Sequence, residues 1–376
     1  MSTATQTRAD WLSFLQRLIV IGVASTLILA LLDYVYDFAK LWDFRVYLKA
    51  QASFFETGNP YYEAESLRFI YPPSASFIFY LINDSTFFGS VVFALNGAAW
   101  IMTACVFCRS KFDLCIVIPA LLLLFGMQGW VAILTGNIAC LLYFSAAIAG
   151  FLYHHKAIST LVFVVVILCL TVIKPFYAEF LIFIWLAQGI RSFLLASFLV
   201  IVAFFAINLI FYPELFEHFL TALKFDHYDT EIYGITLFSH LSSLGFNSLF
   251  SIGVQFLLIG ILFILFVLRL PSLSHGQQFL YIFILAVFIN PKHITYDLMV
   301  ALPALVILLA QSHMRVIIVG AGILMAASVF DFNAEGKPYF QWWYAFLATF
   351  IIVLISGKFQ FEGVWQRIFF PTKKLR

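Results

Sequence analysis

Apolar residues run along this chain in blocks separated by short polar stretches, and most blocks approach the length that a bilayer demands. They fall at about 17–36, 87–108, 112–127, 137–153, 158–173, 175–190, 193–212, 247–269, 278–289, 298–311, 316–330 and 342–357. Each reads as an α-helix, because a segment in hydrocarbon must satisfy its own backbone hydrogen bonds. Several are short for a core of about 30 Å, so some extend by a turn or are broken. The ten residues 74–83 (SASFIFYLIN) are too short to cross and read as re-entrant or lying against the membrane.

The first long polar interruption is Trp42 to Pro73, and its first half predicts an amphipathic juxtamembrane helix. Leu41, Phe44, Leu48, Ala52 and Phe55 recur at spacings of three and four, with Asp43, Arg45, Lys49 and Glu56 off that stripe. Thr57-Gly58-Asn59-Pro60 should end it, with a left-handed cap at Gly58 and a proline that cannot continue the ladder. Aromatic residues and a double proline follow: Tyr61-Tyr62 and Tyr71-Pro72-Pro73.

Composition agrees with the pattern. The chain is 63% hydrophobic and 11% charged, against about 25% charged in soluble domains. The fold class is therefore an all-α polytopic membrane protein, a single membrane domain over 1–376 with no soluble appendage. Aromatic residues at 19%, with 46 Phe, suit lipid contact. No basic, aromatic-interleaved patch suggests nucleic acid. Cys105 and Cys108 form a CxxC without a second pair, so the five cysteines read as packing residues. The run after Arg8 and Arg17 lacks a small-residue cleavage site and reads as a retained first span.

Charge sets the expected orientation. If 74–83 does not cross, one side collects thirteen of the 21 basic residues and three of the 19 acidic ones. The other side has eight basic and sixteen acidic residues. The positive-inside rule then predicts twelve crossings with both termini cytoplasmic. The chemically interesting stretches all fall on the outer face: 37–73, 129–137, 174–179, 213–246, 290–297 and 331–341. No phosphate-binding glycine loop stands on the cytoplasmic side, where His275 and His313 also fall and where His154-His155, beside Lys156, read as a positive-inside turn.

Asp43 sits at an apolar boundary between Trp42 and Phe44, with Tyr47 one turn on to orient it. Lys174 interrupts two apolar runs and reads either as a snorkelling residue or as a point-charge partner for a phosphate. Asn290 to Asp297 is dense in polar groups, with Lys292 and His293 beside Tyr296 and Asp297. His227 lies among acids in 213–246, but its spacing matches no metal set. No metal or other cofactor is expected.

Asp43-Phe44-Arg45-Val46-Tyr47, Asn59-Pro60-Tyr61, Tyr71-Pro72-Pro73, Gly136-Asn137, Lys174-Pro175 and Pro291 through Tyr296-Asp297-Leu298 occur in an order and spacing that resemble glycosyltransferase family 87. These are multi-span transferases that use polyprenyl-phosphate sugars, bacterial mannosyltransferases among them. The resemblance covers about 43–303. It implies a GT-C-like architecture, with an acidic residue of the first outer loop, here Asp43, as the base. It also maps the family's Lys-Pro and Tyr-Asp positions onto Lys174-Pro175 and Tyr296-Asp297. The chain departs from the family at Asn137, where Gln is usual after Gly136, and at Phe176, where Gln is usual after Lys-Pro. Those departures leave the donor sugar open.

The expected activity is inverting transfer of a hexose, with mannose foremost, from a polyprenyl-phosphate donor to a lipid or glycan acceptor. The expected location is the outer face of a bacterial inner membrane. The leaving group is already a phosphate, so one base and a set of cations suffice. Asp43 is assigned as base; Arg45, Lys174, Lys292 and His293 neutralise the donor phosphate; Tyr47, Tyr71, Asn137, His227, Tyr296 and Asp297 contact substrate. Two other readings stand beside this one: a secondary transporter or lipid flippase, and a catalytically inactive subunit of the same fold. The first would need mid-span charges and repeated halves, which the sequence lacks.

Overall fold

The structure, a computed structural model, describes residues 2–36, 42–61, 71–82, 85–108, 136–222, 236–289, 295–330 and 340–361, with 113, 117, 368 and 369. All regular structure among the described residues is helical. Four helices contain stretches long and apolar enough to cross a membrane: α1 (Ser2–Tyr36), α3 (Thr86–Phe107), α7 (Ile190–Phe211) and α9 (Ser248–Arg269). Shorter apolar helices pack among them: α4 (Ala139–His154), α5 (Thr160–Ile173), α6 (Ile182–Gln188), α10 (His275–Ile289), α11 (Thr295–Ala310), α12 (Met314–Phe330) and α13 (Phe340–Ile355). Two further helices, α2 (Trp42–Thr57) and α8 (Leu237–Ser243), are not apolar spans. This is a helical protein of the kind a bilayer holds.

Burial separates the helices by role. α10 is enclosed on all sides, buried from Phe279 through Phe288, and forms the centre with α4, α11 and α13 around it. α1, α7 and α9 lie at the periphery and turn Ile19, Leu27, Phe198, Leu209, Leu249 and Leu257 outward. That is the reverse of a soluble surface and fits lipid contact. α1 runs antiparallel to α3, with Gly22 against Met102 and Asp33 accepting from Ser90 at 2.6 Å.

α5 and the stretch after it form a hairpin. Lys174 is extended, as a residue before proline should be, and the chain returns as a 3-10 segment Pro175–Leu181 running into α6. Gln188 Nε2 at the foot of α6 donates to Thr160 Oγ1 at the foot of α5, so Lys174 stands at the tip. Fourteen residues of α5 rise only about 21 Å, less than a hydrocarbon core. The stretch 74–83, expected to re-enter or to lie against the membrane, overlaps another 3-10 segment, Pro73–Tyr80. Its eight residues rise about 16 Å and leave no room for a crossing.

Arg269 ties the end of α9 to its neighbours. Its Nη1 donates to the carbonyls of Val353 and Leu354 in the last turn of α13, and to Tyr281 Oη of α10 at 2.7 Å. The guanidinium also lies over the Tyr281 ring, 5.4 Å from its centroid. The last-turn carbonyls of a helix have no partner of their own, so this is a cap supplied from another helix. Arg269→Ala should cost about 1.5–3 kcal/mol, read as a lower melting temperature in detergent. Arg269→Lys should recover only part of the loss, since an ammonium lacks the planar fork.

Candidate functional site

α2 forms where the polar and apolar periodicity placed it and ends where expected. Gly58 takes φ +78°, and its N–H bonds Phe54 O at 2.8 Å. The buried face differs from the expected stripe. Ala52 and Phe55 are exposed, while Phe44, Tyr47 and Ala50 are buried, with Phe54 packed against that cluster. Gln51 shares this inward face and donates to the carbonyls of Phe79 and Ile82, at 2.6 and 3.1 Å. The partner of α2 is thus the Pro73–Tyr80 segment, whose carbonyls reward a polar residue on the inward face.

Asp43 stands in the first turn of α2, where the helix dipole stabilises a carboxylate. Its Oδ2 accepts from Asn137 Nδ2 at 3.1 Å. Asn137 is held by the turn before α4: Gly136 has φ +71°, and Asn137 Oδ1 accepts from Ala139 N at 2.9 Å. The two bonds fix which end of the amide faces the carboxylate, because the oxygen is taken by the helix start. Two residues 94 apart in sequence meet here, and Asn137 is itself buried.

Tyr47, one turn after Asp43, shares a hydrogen bond of 2.7 Å with the Tyr71 hydroxyl, the rings meeting edge to face. Tyr61 Oη donates to Tyr71 O at 2.7 Å, and burial raises its phenol well above the ordinary tyrosine value, so it remains a neutral donor. Ser74, just past the double proline, donates through Oγ to Val172 O at 2.7 Å, two residues before Lys174. From the other side of the hairpin tip, Tyr177 Oη donates to Ala139 O at 3.3 Å. A circuit of hydrogen bonds and short backbone links therefore runs from Asp43 to Asn137, the start of α4, Tyr177, the Lys174 corner, Ser74, Tyr71 and Tyr47, and back into α2.

Of the residues that the sequence singled out, Asp43, Tyr47, Tyr71 and Asn137 come together, and Lys174 is half-buried at the adjoining corner. Arg45 is exposed, two positions from Asp43 and so on the opposite side of α2. Tyr296 and Asp297 belong to the first turn of α11. Lys292, His293 and His227 lie outside the described residues. Tyr61, Ser74, Gln51 and Asn208 escaped sequence reasoning as site residues. Asn208 could have been noticed as an amide inside an otherwise apolar run, whereas nothing local marks Ser74.

Chemically, the arrangement offers a carboxylate that accepts from a primary amide, phenol hydroxyls one helix turn along from it and a lysine at the adjoining hairpin corner. It suits removal of a proton from a hydroxyl beside an anionic leaving group. Comparison with protein-family models, curated proteins and solved structures returns no match for this chain.

Proposed function

We propose that this protein transfers a sugar, mannose foremost, from a polyprenyl-phosphate donor to a hydroxyl of a lipid or glycan acceptor, with inversion. The observation that carries the reading is the Asp43–Asn137 hydrogen bond, closed into one circuit with Tyr47, Tyr71 and the Lys174 corner. These residues come from separate motifs of the sequence, and their meeting at one place is what supports the reading. The GT-C-like architecture, the twelve crossings, the cytoplasmic termini and a site on the outer face of a bacterial inner membrane belong to the same proposal.

In the reaction, Asp43 takes the proton of the acceptor hydroxyl as its oxygen attacks the anomeric carbon. The bond from that carbon to the phosphate oxygen breaks, and the electron pair leaves with the polyprenyl phosphate. No general acid is needed, because the leaving group departs as a phosphate; cations stabilise the charge it gathers. Lys174 is the described residue best placed for that task, with Lys292 and His293 as further donors and Arg45 nearer the periphery. Tyr71, Tyr47, Asn137, Tyr296, Asp297 and His227 are assigned to substrate contact. The polyprenyl chain enters from the bilayer, between helices rich in outward-facing Leu, Ile and Phe.

The test is a transfer assay in proteoliposomes with radiolabelled polyprenyl-phosphate mannose and membrane lipid extract as acceptor. Label should move to the acceptor as free polyprenyl phosphate accumulates in equal amount. A flippase would carry the donor across with its sugar bond intact. Donor that is neither cleaved nor moved would identify an inactive subunit, and either result would overturn the proposal.

A further inference from the structure

The segment Pro73–Tyr80 starts inside the bundle, where water cannot serve the N–H groups that every helix start leaves over. Pro73 has no N–H, so Ser74 carries the first donor that needs a partner. That partner is Asn208 Oδ1 of α7, at 2.9 Å across 134 positions of sequence. Asn208 is fully buried, and its Nδ2 is anchored on Phe204 O at 2.9 Å, which fixes the amide. Around it α7 faces outward with Leu209, Ile210 and Phe211. An amide on so apolar a helix is costly to bury without a partner. Here it supplies a cap that the double proline makes necessary.

The consequence reaches Asp43. The two prolines stiffen the short link from Tyr71 to Ser74, so holding Ser74 also holds Tyr71. Tyr71 in turn bonds Tyr47, one turn along α2 from Asp43. We infer that Asn208 is a positioning residue for the base: through Ser74, Tyr71 and Tyr47 it fixes α2 against α7 and so aims the Asp43 carboxylate. The inference rests on the transfer reading given above.

Two measurements test it, one independent of activity. Asn208→Leu, similar in volume, removes the cap; Asn208→Asp keeps an acceptor for the Ser74 N–H. Hydrogen exchange on the full chain in lipid nanodiscs should show faster exchange in Asn208→Leu over both 71–80 and 42–57, and protection close to wild type in Asn208→Asp. In the transfer assay, normalised to folded protein, Asn208→Leu should lower kcat by about ten- to hundred-fold with donor KM little changed, as for a misaimed group. Placed on Asp43→Asn, the same substitution should have almost no further effect, since there is no base left to aim.

Loosening confined to 71–80 would overturn the inference, as would an equal loss of rate in the Asp43→Asn background. If Asn208→Leu does not fold, Asn208→Asp decides: loss of protection over 42–57 despite the retained acceptor overturns it. A fully active Asp43→Asn would instead defeat the transfer reading, and the exchange measurement would still judge the tie between α7 and α2.

Discussion

Asp43→Asn is expected to lower transfer by about 10²–10⁴-fold, the contribution of a positioned general base. The substitution is clean because an Asn side chain at 43 can still accept from Asn137 Nδ2, as the carboxylate does at 3.1 Å. Fold and donor binding should therefore survive. Asp33 provides the control. It is buried between α1 and α3 and accepts from Ser90 at 2.6 Å, a structural duty that an amide oxygen performs equally well. Asp33→Asn should retain most of the activity, and so should Asp37→Asn, whose residue lies outside the described part of the chain. The pH profile adds a second reading. Wild-type rate should fall on the acid side as the base is protonated, and the residual rate of Asp43→Asn should lack that limb. Normal transfer by Asp43→Asn would remove the main support for an enzyme. Loss confined to Asp37→Asn would move the base to Asp37.

How much of this was legible in the sequence depends on the kind of interaction. Helix positions were legible because apolar blocks bounded by Gly, Pro and polar residues fix them locally: α5 ends at Ile173 and α9 at Arg269, where the blocks ended. The stop at Gly58 was legible for the same reason. Which face of α2 turns inward was not, because that depends on its partner. Gln51 counts as polar in any periodicity, yet the open carbonyls of Phe79 and Ile82 draw it inside and leave Phe55 exposed. The 3-10 form of Pro73–Tyr80 was equally hidden, since a continuous apolar run shows no period. In the site, residue types pointed to Asp43 and Asn137, but only the fold brings them together. Ser74 and Asn208 answer a need created by the buried break at Pro72-Pro73, and that need exists only in three dimensions.

Lys174→Ala should weaken use of the donor by about ten- to hundred-fold at limiting concentration. A charged hydrogen bond between an ammonium and a phosphate contributes roughly 1.5–3 kcal/mol, which converts to that range. The hairpin explains why the lysine is in a position to matter. Its N–H closes α5 on Leu170 O at 2.9 Å, and Pro175 forbids the helix to continue, so the side chain projects from a fixed corner. On the proposed reading, the donor phosphate meets the ammonium at this corner. Two hydrogen bonds of the corner, Lys174 N to Leu170 O and Ser74 Oγ to Val172 O, are made by main-chain atoms and Ser74 and should persist in the variant. The loss should accordingly appear in donor KM, with kcat falling less, whereas Asp43→Asn should act chiefly on kcat. Lys174→Arg should restore little, because a planar fork requires different room from a compact point charge. Donor dependence unchanged in Lys174→Ala would transfer the phosphate site to Lys292, His293 or Arg45, and a loss equal to that of Asp43→Asn in kcat alone would show that the lysine serves the base rather than the donor.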